Sequence, residues 1–135
     1  RDRSPSRGLG DVYKRQVHDA RVNVKMNKIQ NVDIYSNDAG RFMVDVAEEG
    51  DSIDVVFMDP PRSGSTEEFM SSVITLGPKR VVYISCGPES LARDLKYMTK
   101  HGYQVIKMTP VDMFPLTRGV ETVVLLTRAG AVHRG

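Results

Sequence analysis

Two short apolar runs rich in β-branched residues govern what this chain can fold into: residues 53–58 (IDVVFM) and Arg80–Ser85 (RVVYIS). Each stops at residues that cannot extend it, Asp59-Pro60-Pro61-Arg62 after the first and Ser85-Cys86-Gly87-Pro88 after the second. Two consecutive prolines cannot continue a hydrogen-bonded ladder. Unbroken apolar runs of this kind read as strands buried on both faces of a parallel sheet. Helical patterns separate and follow them. Residues 66–76 are stopped by Gly77-Pro78, and Pro88–Lys100 starts with Pro and ends at His101-Gly102. Residues 103–109 and Glu121–Arg128 read as two more strands. Their link is too short for a crossover helix, which makes them an antiparallel hairpin at one edge.

Upstream, Val17, Ala20, Val24 and Ile29 stand near helical spacing, so residues 17–28 read as a helix. Asn31 then turns the chain into a short strand over residues 32–36, and residues 39–47 read as a short helix. Residues 1–16 (RDRSPSRGLGDVYKRQ) follow no period of 2 or 3.6 and read as a non-native or disordered leader, outside the fold. Residues 129–135 read as a tail. The alternation of strands and helices predicts an α/β domain with a mostly parallel sheet ending in an antiparallel hairpin.

A chain of 135 residues suits one domain. No apolar run approaches the roughly 18 residues a membrane span needs, and no signal peptide is visible. The single Cys cannot form an internal disulfide. That points to a reducing, cytoplasmic setting with the thiol free for chemistry. The formal charge of +2 is uneven: residues 1–16 carry five basic and two acidic residues, so +3 sits there and the remainder nets −1. Such a body exerts no global field that would draw nucleic acid by charge alone.

Asp59 and Arg62 follow a strand's carboxyl end, the rim where open α/β sheets bind ligands. The same tetrapeptide also suits a rigid turn with a surface ion pair. Cys86 stands between a strand end and a helix start, near backbone N–H groups and the positive end of a helix dipole, both of which favour a thiolate. The bland alternative is a small buried Cys, but the apolar run has already ended at Ile84. Glu121 opens the last strand and, taken alone, is an ordinary solvated rim residue.

Together DPPRSGS, VVYISCGPESLARDL, VDMFPLT and VETVVLLTR resemble, in order and spacing, the RNA uracil-C5 (5-methyluridine) methyltransferases, and ARVNVKMN and NVDIYSNDA also fit. The resemblance covers residues 17–128 and implies a class I, Rossmann-like methyltransferase domain using S-adenosylmethionine. The implied partner is RNA, 23S rRNA ahead of tRNA, with no metal, no membrane and a monomeric state. It implies that Cys86 is the nucleophile that adds to uracil C6 and that Glu121 removes the C5 proton. Asp38 would lie near the cofactor adenine, Asp59 at the cofactor and target base, and Arg62 at RNA phosphate or bracing the site.

Two residues depart from the family pattern: Gly87 stands where Asn usually follows the Cys, and Gly119 where His usually precedes the Glu by two. The family's Gly-rich cofactor loop and ribose-binding acid would lie before Val17 and are not found. The chain is therefore expected to be the C-terminal part of such a domain, with the N-terminal strands missing and little activity alone. Two rivals stand beside this reading. One is a non-catalytic RNA-binding pseudo-methyltransferase; the −1 body charge argues against it. The other is an amino-group methyltransferase using the DPPR motif, which needs no Cys nucleophile. Covalent capture of 5-fluorouridine RNA separates both from a Cys-dependent enzyme.

Overall fold

The computed structural model describes residues 6–50 and 52–130, with residues 6–13 described by their backbone alone. The chain divides into two compact units, residues 1–38 and 39–135.

In the first unit, helix α1 (Ser6–Met26) begins well before Val17. Of the expected leader, residues 1–5 lie outside the described residues and residues 6–16 are helical. The helix ends as Lys28 turns to φ 54° and the Ile29 N–H returns to the Val24 carbonyl at 3.0 Å. The strand expected over residues 32–36 is not formed. Its backbone has no ladder partner among the described residues, Val32 and Tyr35 are exposed, and the Ile34 carbonyl instead accepts from Arg21 Nη2 at 3.2 Å.

The second unit runs α2 (Ala39–Glu49), β1 (Val55–Met58), α3 (Glu67–Leu76), β2 (Arg80–Ser85), α4 (Pro88–Lys100), β3 (Tyr103–Val111) and β4 (Glu121–Arg128). The strands form one sheet in the order β1-β2-β4-β3. β1 and β2 pair in parallel; β4 enters antiparallel beside β2, and β3 pairs antiparallel with β4 at the edge. Among the described strands, parallel pairing is thus confined to β1 and β2, because the hairpin's second strand takes the inner place.

Local chemistry sets the boundaries. The Thr66 hydroxyl accepts from the Phe69 N–H at 3.2 Å, and Glu67 and Glu68 in the first turn complement the helix dipole. Gly77 closes α3 at φ 62°, its N–H reaching the Val73 carbonyl at 3.0 Å. The core joins Val56 and Met58 of β1, Val81 and Tyr83 of β2, and Val124 and Leu126 of β4 to side chains from α2, α3 and α4.

Residues 53–58 were expected to be covered on both faces. Only Val56 and Met58 are buried; Val55 is 40% and Phe57 72% exposed. The helices that supply core residues all meet the face carrying Val56 and Met58. Side chains alternate across a strand, so Val55 and Phe57 point the other way.

Tyr83 and Tyr103 hold their protons above the ordinary phenol range. Burial is the first cause for both, and the hydrogen bond to the Asp94 carboxylate adds to it for Tyr83. A group whose folded-state pKa exceeds its unfolded value stabilises the fold fully below the unfolded value and loses that contribution as pH rises. The melting temperature is therefore expected to fall once pH climbs above about 10. A melting temperature unchanged far above that point would contradict this.

Candidate active site

The carboxyl ends of β1 and β2 make one rim. Beyond β2, the buried Ser85 locks the corner: its hydroxyl accepts from the Gly87 N–H at 3.1 Å and lies 3.0 Å from the Gly87 carbonyl. Pro88 then opens α4, where a missing N–H costs nothing. This turn leaves Cys86 half-buried between strand and helix.

The loop beyond β1 is seated on the same helix. Ser90 Oγ donates to the Arg62 carbonyl at 2.7 Å, and Arg93 Nη2 donates to the carbonyls of Ser63 at 2.9 Å and Ser65 at 3.2 Å. Asp94, with no exposed surface, accepts from the Ser65 N–H at 2.7 Å, from Tyr83 Oη at 2.6 Å and from Arg93 Nε at 2.9 Å. Gly64 makes this seat possible. Its φ is +84°, and a Cβ there would stand 2.6 Å from Asp94 Oδ2. Buried carboxylates are tolerated only when paired and hydrogen-bonded, and Asp94 has both an Arg partner and two neutral donors.

Between this loop, the start of α4 and the β3–β4 connection lies an open cleft of about 850 Å³, lined by Cys86, Arg62, Arg93, Phe114, Thr117 and Arg118 among others. Cys86 and Arg62 are thus brought together. Glu121 opens β4 beside Thr122, which pairs with Ser85, the residue before Cys86. Glu121 itself pairs with Val111 of β3 and is not among the residues that line the cleft.

Asp59 is exposed at the end of β1 and does not line this cleft. Asp38 closes the first unit, its N–H donating to the Asn37 side-chain oxygen at 3.0 Å.

The two glycines that depart from the family pattern differ physically. At Gly87 a Cβ would stand 2.9 Å from the Arg62 carbonyl oxygen and 3.0 Å from Ser90 Oγ. The tight seating of the Arg62 loop therefore excludes Asn there unless the loop shifts. At Gly119 the nearest atom to a Cβ, Thr117 Oγ1, would be 3.4 Å away, so space does not demand glycine.

The residue-by-residue reading missed Arg93, Asp94, Phe114 and Arg118. Arg93 and Asp94 sit within the LARDL end of VVYISCGPESLARDL, which the resemblance matches without giving either residue a role. Phe114 and Arg118 sit within a loop whose placement over Cys86 depends on β4 lying beside β2.

The sequence pattern of the family described as tRNA (Uracil-5-)-methyltransferase matches residues 9–129. An uncharacterized RNA methyltransferase of Caldanaerobacter subterraneus is 42% identical over 115 residues, covering 85% of this chain and 25% of that protein. One from Lactobacillus johnsonii is 43% identical over 122 residues, covering 90% and 27%. The chain therefore spans about a quarter of the length of the curated relatives it matches. Among solved structures, the tRNA (uracil-54, C5)-methyltransferase of Pyrococcus abyssi, in complex with S-adenosyl-L-homocysteine, superposes with a TM-score of 0.65 at 31% identity, covering 80% of this chain and 25% of that one. The M1.HpyAVI–SAM complex, at a TM-score of 0.58 and 17% identity over 73% of this chain and 55% of that one, shares the fold.

Proposed function

The chain belongs to the tRNA (uracil-5-)-methyltransferase family, and from that premise we propose that it forms part of an enzyme that methylates C5 of a uridine in RNA with S-adenosylmethionine. The observation that supports this reading is the open cleft that holds the Cys86 thiol beyond the carboxyl end of β2, with Glu121 at the start of β4, the strand paired with β2.

Uracil C5 is too weak a nucleophile to take a methyl group unaided. Cys86 Sγ forms a bond to C6, and the C5–C6 π pair moves to make C5 nucleophilic. When bound, S-adenosylmethionine would supply an electrophilic methyl group to C5, the electron pair of the broken S–CH3 bond staying on its sulfur as a neutral thioether. Glu121 then takes the C5 proton, the electron pair of that bond re-forms the C5–C6 double bond, and the Cys86 Sγ–C6 bond breaks. Thiolate and 5-methyluridine result, and the proton rests on Glu121 until solvent removes it. The uridine must leave any stack to present both carbons.

Asp59 fits the cofactor. It is an exposed carboxylate at the rim, with no ion-pair partner among the described residues, and so suits a ligand bearing positive charge. Asp38 is assigned to the adenine and Arg62 to RNA phosphate. We also propose that the chain alone binds the cofactor weakly, since among the described residues of the second unit Asp59 is the carboxylate at the β1 rim and the face of β1 that carries Phe57 is left exposed.

The test is the product. The intact protein that carries this sequence, given S-adenosylmethionine with a labelled methyl group and either ribosomal RNA or tRNA, is expected to yield labelled 5-methyluridine after digestion of one of them. Label recovered only on an exocyclic amino group would favour the amino-methylating reading. No label in either RNA, with RNA still bound, would favour the non-catalytic one.

A further inference from the structure

Phe114 is 61% exposed, yet it stands in the wall of the Cys86 cleft. Exposure of a large aromatic ring beside a reactive thiol requires an account, because a loop gains nothing in stability from it. The loop's backbone is tied down at that point. The Phe114 carbonyl accepts from both Thr117 Oγ1 at 2.7 Å and the Thr117 N–H at 3.2 Å, and Thr117 Oγ1 in turn accepts from the Gly119 N–H at 3.2 Å. Leu116 at the tip takes φ 68°, a conformation that costs a branched side chain energy, and is itself fully exposed. The turn thus fixes the backbone that carries the ring at the cleft wall. Arg118 and Arg62 line the same cleft, and among the described residues neither has a carboxylate within ion-pair distance. A planar apolar face flanked by unpaired guanidinium groups is the chemistry that takes a single-stranded nucleic acid: base on ring, phosphate on cation.

We propose that Phe114 is the stacking platform for the base next to the target uridine, with Arg62 and Arg118 holding the phosphates on either side. This rests on the uracil-C5 reading above. The target itself is a poor candidate for the stack. The thiol adds to one face of its C5–C6 bond and the methyl donor requires the other, so neither face is free for a phenyl ring. A neighbouring base has both faces available once the strand is opened. The interaction reads shape rather than hydrogen bonds, so it fixes the strand without demanding one base.

The test uses the intact protein that carries this sequence and a single-stranded oligouridine RNA containing one 5-fluorouridine, with S-adenosylmethionine present. Covalent capture is followed as a function of RNA concentration. Phe114→Ala is expected to raise the half-saturating RNA concentration about tenfold, the scale of one base–aromatic stack, with the limiting capture rate retained. Phe114→Tyr should restore wild-type behaviour, and Phe114→Leu should not. Repeating the titration with the bases flanking the fluorouridine removed should weaken the wild type and leave Phe114→Ala unchanged. Equal melting temperatures exclude misfolding. Wild-type half-saturation in Phe114→Ala, a Leu variant as good as Tyr, or a loss confined to the limiting rate would each overturn the proposal. Absence of capture by the wild-type protein would instead overturn the uracil-C5 reading, and this proposal with it.

Discussion

Replacing Glu121 by Gln is expected to convert the intact enzyme from one that turns over into one that stops on its RNA, whereas replacing Cys86 by Ala is expected to leave no covalent species at all. The two outcomes follow from the order of bonds. In the proposed mechanism Cys86 makes the first bond, so Cys86→Ala should remove every later step and bring methyl transfer to background. In that mechanism Glu121 acts after C5 has been methylated. With no base to take the C5 proton, the pair that should expel Cys86 Sγ stays in the C–H bond. Glu121→Gln should therefore accumulate a protein–RNA adduct with ordinary uridine, with no fluorine needed, visible as a band that survives denaturing electrophoresis. Ser85 and Thr122, the sequence neighbours of Cys86 and Glu121, are the last β2–β4 pair, which puts the two residues at the same end of the sheet. Free turnover in Glu121→Gln would remove Glu121 from the mechanism while leaving Cys86 in it.

The second large effect is on stability. Asp94→Ala removes the acceptor shared by Tyr83 Oη, the Ser65 N–H and Arg93 Nε. Tyr83 is almost wholly buried, so its hydroxyl is left without a partner, and the Arg62–Ser65 loop loses its tie to α4. The Arg93 side chain is 60% exposed and stays solvated. The cost is therefore mainly that of the buried Tyr83 hydroxyl left unpaired, about 1–3 kcal/mol, out of the roughly 5–15 kcal/mol that holds a typical domain together. Asp94→Asn keeps the shape and one acceptor oxygen and should cost less. Denaturant melts of the two variants separate them: Asp94→Ala as stable as wild type would mean that the network carries little of the fold's stability.

The sequence made β2, its Cys-containing corner and α4 legible because each boundary there is local. The apolar run ends at Ile84, and Pro88 can only open a helix. β4 was legible as a strand for the same reason, but its place between β2 and β3 was not, since register is set by partners distant in sequence. With that place unknown, a joint role for Glu121 and Cys86 could be taken only from family resemblance. Phe114 and Arg118 were unreadable as cleft residues on the same ground. Residues 32–36 show the opposite error. Their apolar content suggested a strand, but a strand requires a neighbour, and Arg21 takes the Ile34 carbonyl instead. The apolar run 53–58 likewise reported strand propensity correctly and burial incorrectly. Propensity is local, whereas cover depends on which helices lie on which face. Asp94 in LARDL looked like any acid on a helix, and its burial depends on Tyr83 from the strand beneath.

The measurement that bears most directly on the account is the site of the covalent bond. The intact protein is incubated with S-adenosylmethionine and RNA containing 5-fluorouridine, digested, and the nucleotide-bearing peptide sequenced by mass spectrometry. Fluorine at C5 cannot leave as a cation, so Glu121 has no proton to remove and the adduct should persist. The account predicts one modified peptide, with the fluorinated, methylated nucleotide attached through C6 to Cys86. An adduct on another residue, or methylation of uridine C5 without any adduct, would contradict it.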